Sequence, residues 1–128
     1  MEALNIPATA NTPAVSFSPE QSRFLVTGSS IPENANNFFK PIMEWLDRNL
    51  DALPQLCTFE FNLPYFNSSS LKAIYLLLME IKRGEDAGKQ FHVAWYTEAD
   101  DEFMEEAAET FIELTGMPIH VRTGVPVV

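Results

Sequence analysis

The chain has 128 residues, enough for one domain with a substantial core, and its 46% hydrophobic content argues against disorder. Eighteen acidic residues against eight basic ones give a formal net charge of −10. Phosphate backbones and anionic membrane surfaces are held by clustered Lys and Arg, so neither nucleic acid nor a membrane is an expected partner.

In chain order, residues 1–13 hold Pro7, Pro13 and small polar residues and read as an extended N-terminal arm. Ala14 to Phe17 and Arg23 to Thr27 are short apolar segments around the turn-forming Ser18-Pro19-Glu20-Gln21, which predicts a β-hairpin. After the loop Gly28 to Pro32, Glu33-Asn34 offers a helix start. Phe38, Phe39, Ile42, Met43, Trp45, Leu46 and Leu50 then recur at helical spacing. Pro41 lies inside that span, so the helix either begins near Asn37 to Lys40 or is kinked there. Cys57 to Leu63 alternates as a strand, with Cys57, Phe59, Phe61 and Leu63 on one face.

Asn67-Ser68-Ser69-Ser70 precedes a second helix over Leu71 to Lys82, with an apolar stripe of Leu71, Ile74, Tyr75, Leu78 and Ile81. Leu76, Leu77 and Met79 widen that stripe, which suits packing on two sides or an apolar strip for a partner. Gly84 or Gly88 can end this helix. Gln90 to Tyr96 reads as a strand, Asp100 to Leu114 as an acidic helix closed by Gly116, and Pro118 to Arg122 as a last short strand. Strands alternating with helices predict parallel crossovers. The expected fold is α/β, a single mixed sheet with an N-terminal hairpin and about three packed helices, in one domain over 1–128.

Cysteine and histidine are scarce. Cys57 is the only cysteine and reads as a buried core residue; with two histidines, His92 and His120, it cannot make a structural zinc site. Asp100, Asp101 and Glu102 lack the spacing of a calcium loop. No cofactor is expected. Met1 to Asn5 lacks the basic and apolar regions of a signal peptide, and the apolar run Ala73 to Met79 is too short to span a bilayer, so the expected location is the cytoplasm.

The serine run is the sharpest feature. Asn and Ser are favoured helix N-caps, because their side-chain oxygens accept the unpaired N–H groups of the first turn. The same position suits a phosphorylated serine, which meets a favourable dipole and free N–H donors, with Lys72 one turn beyond Ser68. The local chemistry fits both readings. A serine hydrolase needs a glycine-flanked nucleophile elbow and a base; Asn67-Ser68-Ser69-Ser70 has no glycine, and both histidines sit in strand alternation. An enzyme is therefore not expected. Glu102, Glu105, Glu106, Glu109 and Glu113 form an acidic face opposite Phe103, Ala107, Phe111 and Leu114, either solvated or a docking surface.

The element order, with a serine pair opening the helix after a buried strand, resembles the STAS domains of anti-sigma-factor antagonists. Their Asp-Ser-Ser/Thr-Gly motif carries the phosphorylated serine directly after Asp; here Asn67 stands at the Asp, Ser68 at the phosphosite and Ser70 at the glycine. A resemblance to the SiaC family of bacterial biofilm regulators spans nearly the whole chain. It is carried by the arm Ile6 to Pro13, the loop Gly28 to Asn34, the site Tyr65 to Ser70, and Val93-Ala94-Trp95-Tyr96. This resemblance implies a phosphoprotein with Ser68 as acceptor and Asn67, Ser69, Ser70 and Lys72 around it. A SiaB-like serine/threonine kinase and a SiaA-like PP2C phosphatase would set its state. The unphosphorylated form would bind and activate a SiaD-like diguanylate cyclase, controlling cyclic di-GMP synthesis and biofilm formation. The family has threonine where Ser68 stands, so the choice of Ser68 over Ser69 rests on alignment. The alternative is an anti-sigma-factor antagonist.

Overall fold

The computed structural model describes residues 1–127. Strands β1 (Leu4–Ile6), β2 (Ala14–Ser18), β3 (Arg23–Thr27), β4 (Leu56–Asn62), β5 (Gln90–Thr97) and β6 (His120–Thr123) form one sheet in that spatial order. β1, β2 and β3 pair antiparallel, and β3 through β6 pair parallel. Helices α1 (Ala35–Asn49), α2 (Ser68–Asp86) and α3 (Glu102–Thr115) make the three crossovers. This is the mixed α/β sheet expected from the sequence.

Each crossover steps one strand across the sheet, so the right-handed rule places all three helices on one face, with α2 packed between α1 and α3. The strands match this arrangement residue by residue. Cys57, Phe59 and Phe61 of β4 and Phe91, Val93 and Trp95 of β5 are buried against the helices. Phe24 stacks on Phe59 at 4.7 Å, and Trp95 lies 5.9 Å from Phe61. The intervening residues face away from the helices and are mostly polar. There the Arg23 guanidinium pairs with Glu60, the Tyr96 hydroxyl donates to Glu60, and His92 stacks on His120 at 4.2 Å.

Several boundaries differ from the sequence reading. The arm contributes an edge strand: Leu4 to Ile6 pair with Val15 to Phe17, and the Trp45 indole donates to the Glu2 carbonyl at 3.1 Å. α1 begins at Ala35, earlier than the proline suggested, because Asn34 caps it by accepting from the Asn37 N–H at 3.0 Å. Pro41 is thus interior, where it removes one helical hydrogen bond without ending the helix. α2 starts three residues before its first apolar position and ends past Lys82.

The buried faces also shift. In α2 they are Ala73, Ile74, Leu77, Leu78 and Ile81, while Leu71 and Leu76 are exposed. In α3 the buried set is Met104, Ala107, Ala108, Phe111 and Thr115, leaving Phe103 and Leu114 in solvent. Gly84 does not end α2. It lies buried within it, and a Cβ there would sit 2.3 Å from the Phe91 ring. The helix closes through Gly88 at φ +107°, with the Lys89 N–H on the Gly84 carbonyl and the Gly88 N–H on the Glu85 carbonyl. Gly116, at φ +71°, ends α3 as expected. Cys57 is buried and free, and burial pushes its thiol up to about 11.

Candidate functional site

The site forms where β4 leaves the sheet and α2 begins. Asn67 is the N-cap of α2, in extended conformation, and its Oδ1 accepts from the Ser70 N–H at 3.2 Å. Ser68, Ser69 and Ser70 are therefore the first three helical residues, and their side chains have three different fates. Ser70 is fully buried and joined to the loop after β3: its Oγ lies 2.8 Å from Ser30 Oγ, 3.0 Å from the Ser30 carbonyl and 3.0 Å from Asn67 Oδ1. A hydroxyl has one proton, so Ser70 donates to one carbonyl oxygen while accepting from Ser30. Ser69 is exposed, and its hydroxyl donates to Asn67 Oδ1 at 2.9 Å. Ser68 is exposed, and its hydroxyl has no protein hydrogen-bond partner among the described residues.

The capping role thus does not engage all three serines. Asn67 and Ser70 hold the helix start, and Ser68 is left available. Ser68 is the first residue of α2, at the end of the helix where the dipole favours negative charge. Lys72 is exposed on the same helix, four positions on, the spacing at which side chains share a face.

Ser30 also belongs to the site, though no local sequence pattern marks it. It is fully buried; its N–H donates to the Tyr65 carbonyl at 2.9 Å and its carbonyl accepts from the Asn67 N–H at 3.0 Å. The Ile31 N–H in turn donates to Asn11, which ties the arm to the same loop. The only sequence signal for this contact was the loop Gly28 to Asn34, which carried part of the family resemblance but had no local rationale. The histidines lie elsewhere, on the open face of the sheet, and the described residues contain no group of three metal-ligating side chains.

The family model for SiaC family regulatory phosphoproteins matches residues 6–123, which takes in every element from β2 to β6. The chain belongs to the SiaC family. Among solved structures it is similar to SiaC of Pseudomonas aeruginosa, at 27% identity and a TM-score of 0.87, covering 97% of this chain and 100% of that one. It is also similar to a chain in the crystal structure of the diguanylate cyclase SiaD in complex with its activator SiaC from Pseudomonas aeruginosa. There the identity is 30% and the TM-score 0.85, over 94% of this chain and 99% of that chain. A curated relative, an uncharacterized protein of Pseudomonas aeruginosa strain UCBPP-PA14, is 29% identical over 95% of this chain and 97% of its own length. The family is one of regulatory phosphoproteins, and the solved relatives named here are bacterial. No helix among the described residues is long and apolar enough to cross a membrane.

Proposed function

We propose that this chain is a non-enzymatic adaptor, acting as one domain over its length, whose unphosphorylated form binds and activates a diguanylate cyclase. Ser68 is the phosphorylation site, written by a SiaB-like kinase and erased by a SiaA-like PP2C phosphatase, so that the phosphate turns cyclase activation off. The chain thereby sets cyclic di-GMP synthesis and biofilm formation from the cytoplasm. The similarity to an activator in complex with SiaD supports the partner. The observation that carries the site is the division of labour among the three serines: Ser70 is buried, Ser69 is bonded to the cap, and Ser68 is exposed and unengaged among the described residues.

The chemistry follows from that placement. Phosphorylation adds roughly −1.5 to −2 of charge at a helix N-terminus that already favours an anion, so the modified chain stays folded. What changes is the surface presented to the partner. Incubation with the cognate kinase, followed by intact-mass and fragment spectra, is expected to place one phosphate on Ser68; a stable phosphate on Ser69, or none, contradicts the assignment. Ser68→Asp is expected to weaken cyclase binding and Ser68→Ala to preserve it. Equal binding by both variants would reject the charge switch.

A further inference from the structure

A cavity that shares no lining residue with the serine run opens where β4 and β5 leave the sheet, beside the start of α3. Its volume is about 140 Å³. Leu63, Pro64 and Met104 supply an apolar wall. Asn62, Thr97, Glu98 and Asp101 supply a polar one, and no basic side chain lines it.

The backbone around this cavity is satisfied without those side chains. The Asn62 carbonyl accepts from the Gly28 N–H and the Thr97 carbonyl from the Gly124 N–H, each at 2.9 Å. Thr97 is only 4% exposed, yet its hydroxyl makes no hydrogen bond among the described residues. A buried hydroxyl is costly to leave unpaired, so this one calls for a partner inside the cavity. Glu98 and Asp101 likewise have no ion-pair partner among the described residues. As the cap of α3, Asp101 accepts the Met104 N–H through Oδ1 at 3.1 Å, which leaves its second oxygen unengaged. The Asp101 N–H donates to the Glu98 carbonyl at 3.2 Å, a turn that brings both acidic residues to the same cavity.

The donor set decides the ligand class. Two carboxylates, an amide oxygen and a hydroxyl all accept hydrogen bonds, so the occupant is a positively charged donor. A hard divalent ion wants about six to eight oxygens and gains nothing from the apolar wall. A primary alkylammonium uses both walls, with N–H groups for the acceptors and methylenes for Leu63, Pro64 and Met104. A cavity of about 150 Å³ takes a molecule the size of benzene, so the ligand has roughly six non-hydrogen atoms. We propose that this cavity is a binding site for a small primary alkylammonium. Asp101 and Glu98 pair with its charge, and the Thr97 hydroxyl accepts one of its protons. The proposal is independent of the reading of Ser68.

The test is an NMR titration of the full chain at constant ionic strength, with n-butylammonium as the probe. Butan-1-ol and butyrate serve as neutral and anionic counterparts, and Ca²⁺ as the competing ligand class. n-Butylammonium is expected to give saturable shifts at the amides from Thr97 to Met104, and the other three to give none there. Asp101→Asn keeps a capping oxygen and removes the charge, and is expected to weaken binding about tenfold. Glu98→Gln, at an exposed position, is expected to weaken it about threefold. Thr97→Val removes the hydroxyl at nearly constant shape and is expected to weaken binding about threefold or more, whereas Thr97→Ser keeps the hydroxyl and binds as the parent does. Unchanged spectra away from the cavity check that each variant is folded. Shifts that do not saturate, equal shifts with butan-1-ol, or saturation by Ca²⁺ but not by n-butylammonium overturn the proposal. So does parent-like binding by Asp101→Asn.

Discussion

At the scale of single residues, the site is built on a contrast between side chains that hold the backbone and one that does not. Asn67 accepts through one oxygen from the Ser70 N–H and from the Ser69 hydroxyl, and lies 3.0 Å from the Ser70 hydroxyl as well. Removing an N-cap acceptor costs about 0.5–2 kcal/mol. Asn67→Ala is therefore expected to lower the urea midpoint by an amount equivalent to about 1 kcal/mol. Ser69→Ala removes only an exposed hydroxyl and is expected to stay within about 0.5 kcal/mol of the parent. Equal losses in the two variants would contradict the assignment of Asn67 as the structural cap. The position of Asn67 is itself set from outside the helix, because its N–H is held by the Ser30 carbonyl. This contact between residues distant in sequence explains how a loop after β3 shapes the start of α2.

At the scale of elements, Gly84 shows where tertiary packing overrides helix preference. Within an exposed helix, alanine is favoured over glycine by about 1 kcal/mol. Here a Cβ would meet the Phe91 ring at 2.3 Å, and Phe91 is itself buried and lies 5.2 Å from Phe59. Overpacking of that kind costs about 1–3 kcal/mol, so Gly84→Ala is expected to destabilise, read as a lower thermal or urea midpoint. An unchanged or raised midpoint would show that the α2 and β5 contact is looser than described.

The same element shows what was legible in the sequence. Alternation in β4 and β5, the Gly116 terminus of α3 and the parallel crossovers are written in local signals, and all were readable. Hydrophobic period places the start of α2 three residues late, because serines carry no such period and capping decides the boundary instead. β1 is not legible in the sequence because three residues cannot show alternation; it exists because β2 offers an edge to pair with. Periodicity puts Phe103 on the wrong side of α3, because the buried stripe runs through Met104, Ala108 and Phe111 and a large apolar residue beside it looks the same. Within the site, Ser68 and its neighbours were legible as a cluster. Which serine is buried, and the role of Ser30, depend on the loop after β3 packing against α2, and no local pattern encodes that.

At the scale of the whole molecule, the sheet has two unlike faces. One is covered by three helices, and the other carries a layer of polar side chains that includes His92. Burial, the stacked His120 and the nearby Arg122 lower the affinity of His92 for a proton, while Glu60 opposes them less strongly. The folded state therefore binds fewer protons than the unfolded state in the window below the ordinary histidine value of 6.5. Stability contributed by neutral His92 is present above that value and is lost as pH falls through the lowered one. Urea midpoints are expected to drop from pH 7 toward pH 5, and His92→Gln is expected to flatten part of that slope. Parallel slopes in parent and variant would contradict this placement of His92.

The proposed switch belongs to the other face, at the start of α2 where the loop after β3 packs. The chain starts from a net charge of −10, and one phosphate brings it to about −12, a small change in the total but a large one beside Lys72. The account predicts that this local change, rather than unfolding, governs the partner. The most direct measurement is the initial rate of cyclic di-GMP synthesis by the cognate cyclase, titrated with the chain either unphosphorylated or fully phosphorylated on Ser68. The unphosphorylated chain should raise the rate to saturation, and the phosphorylated chain should need at least about tenfold more protein for the same effect. Superimposable titrations, or activation by the phosphorylated chain alone, would contradict the account.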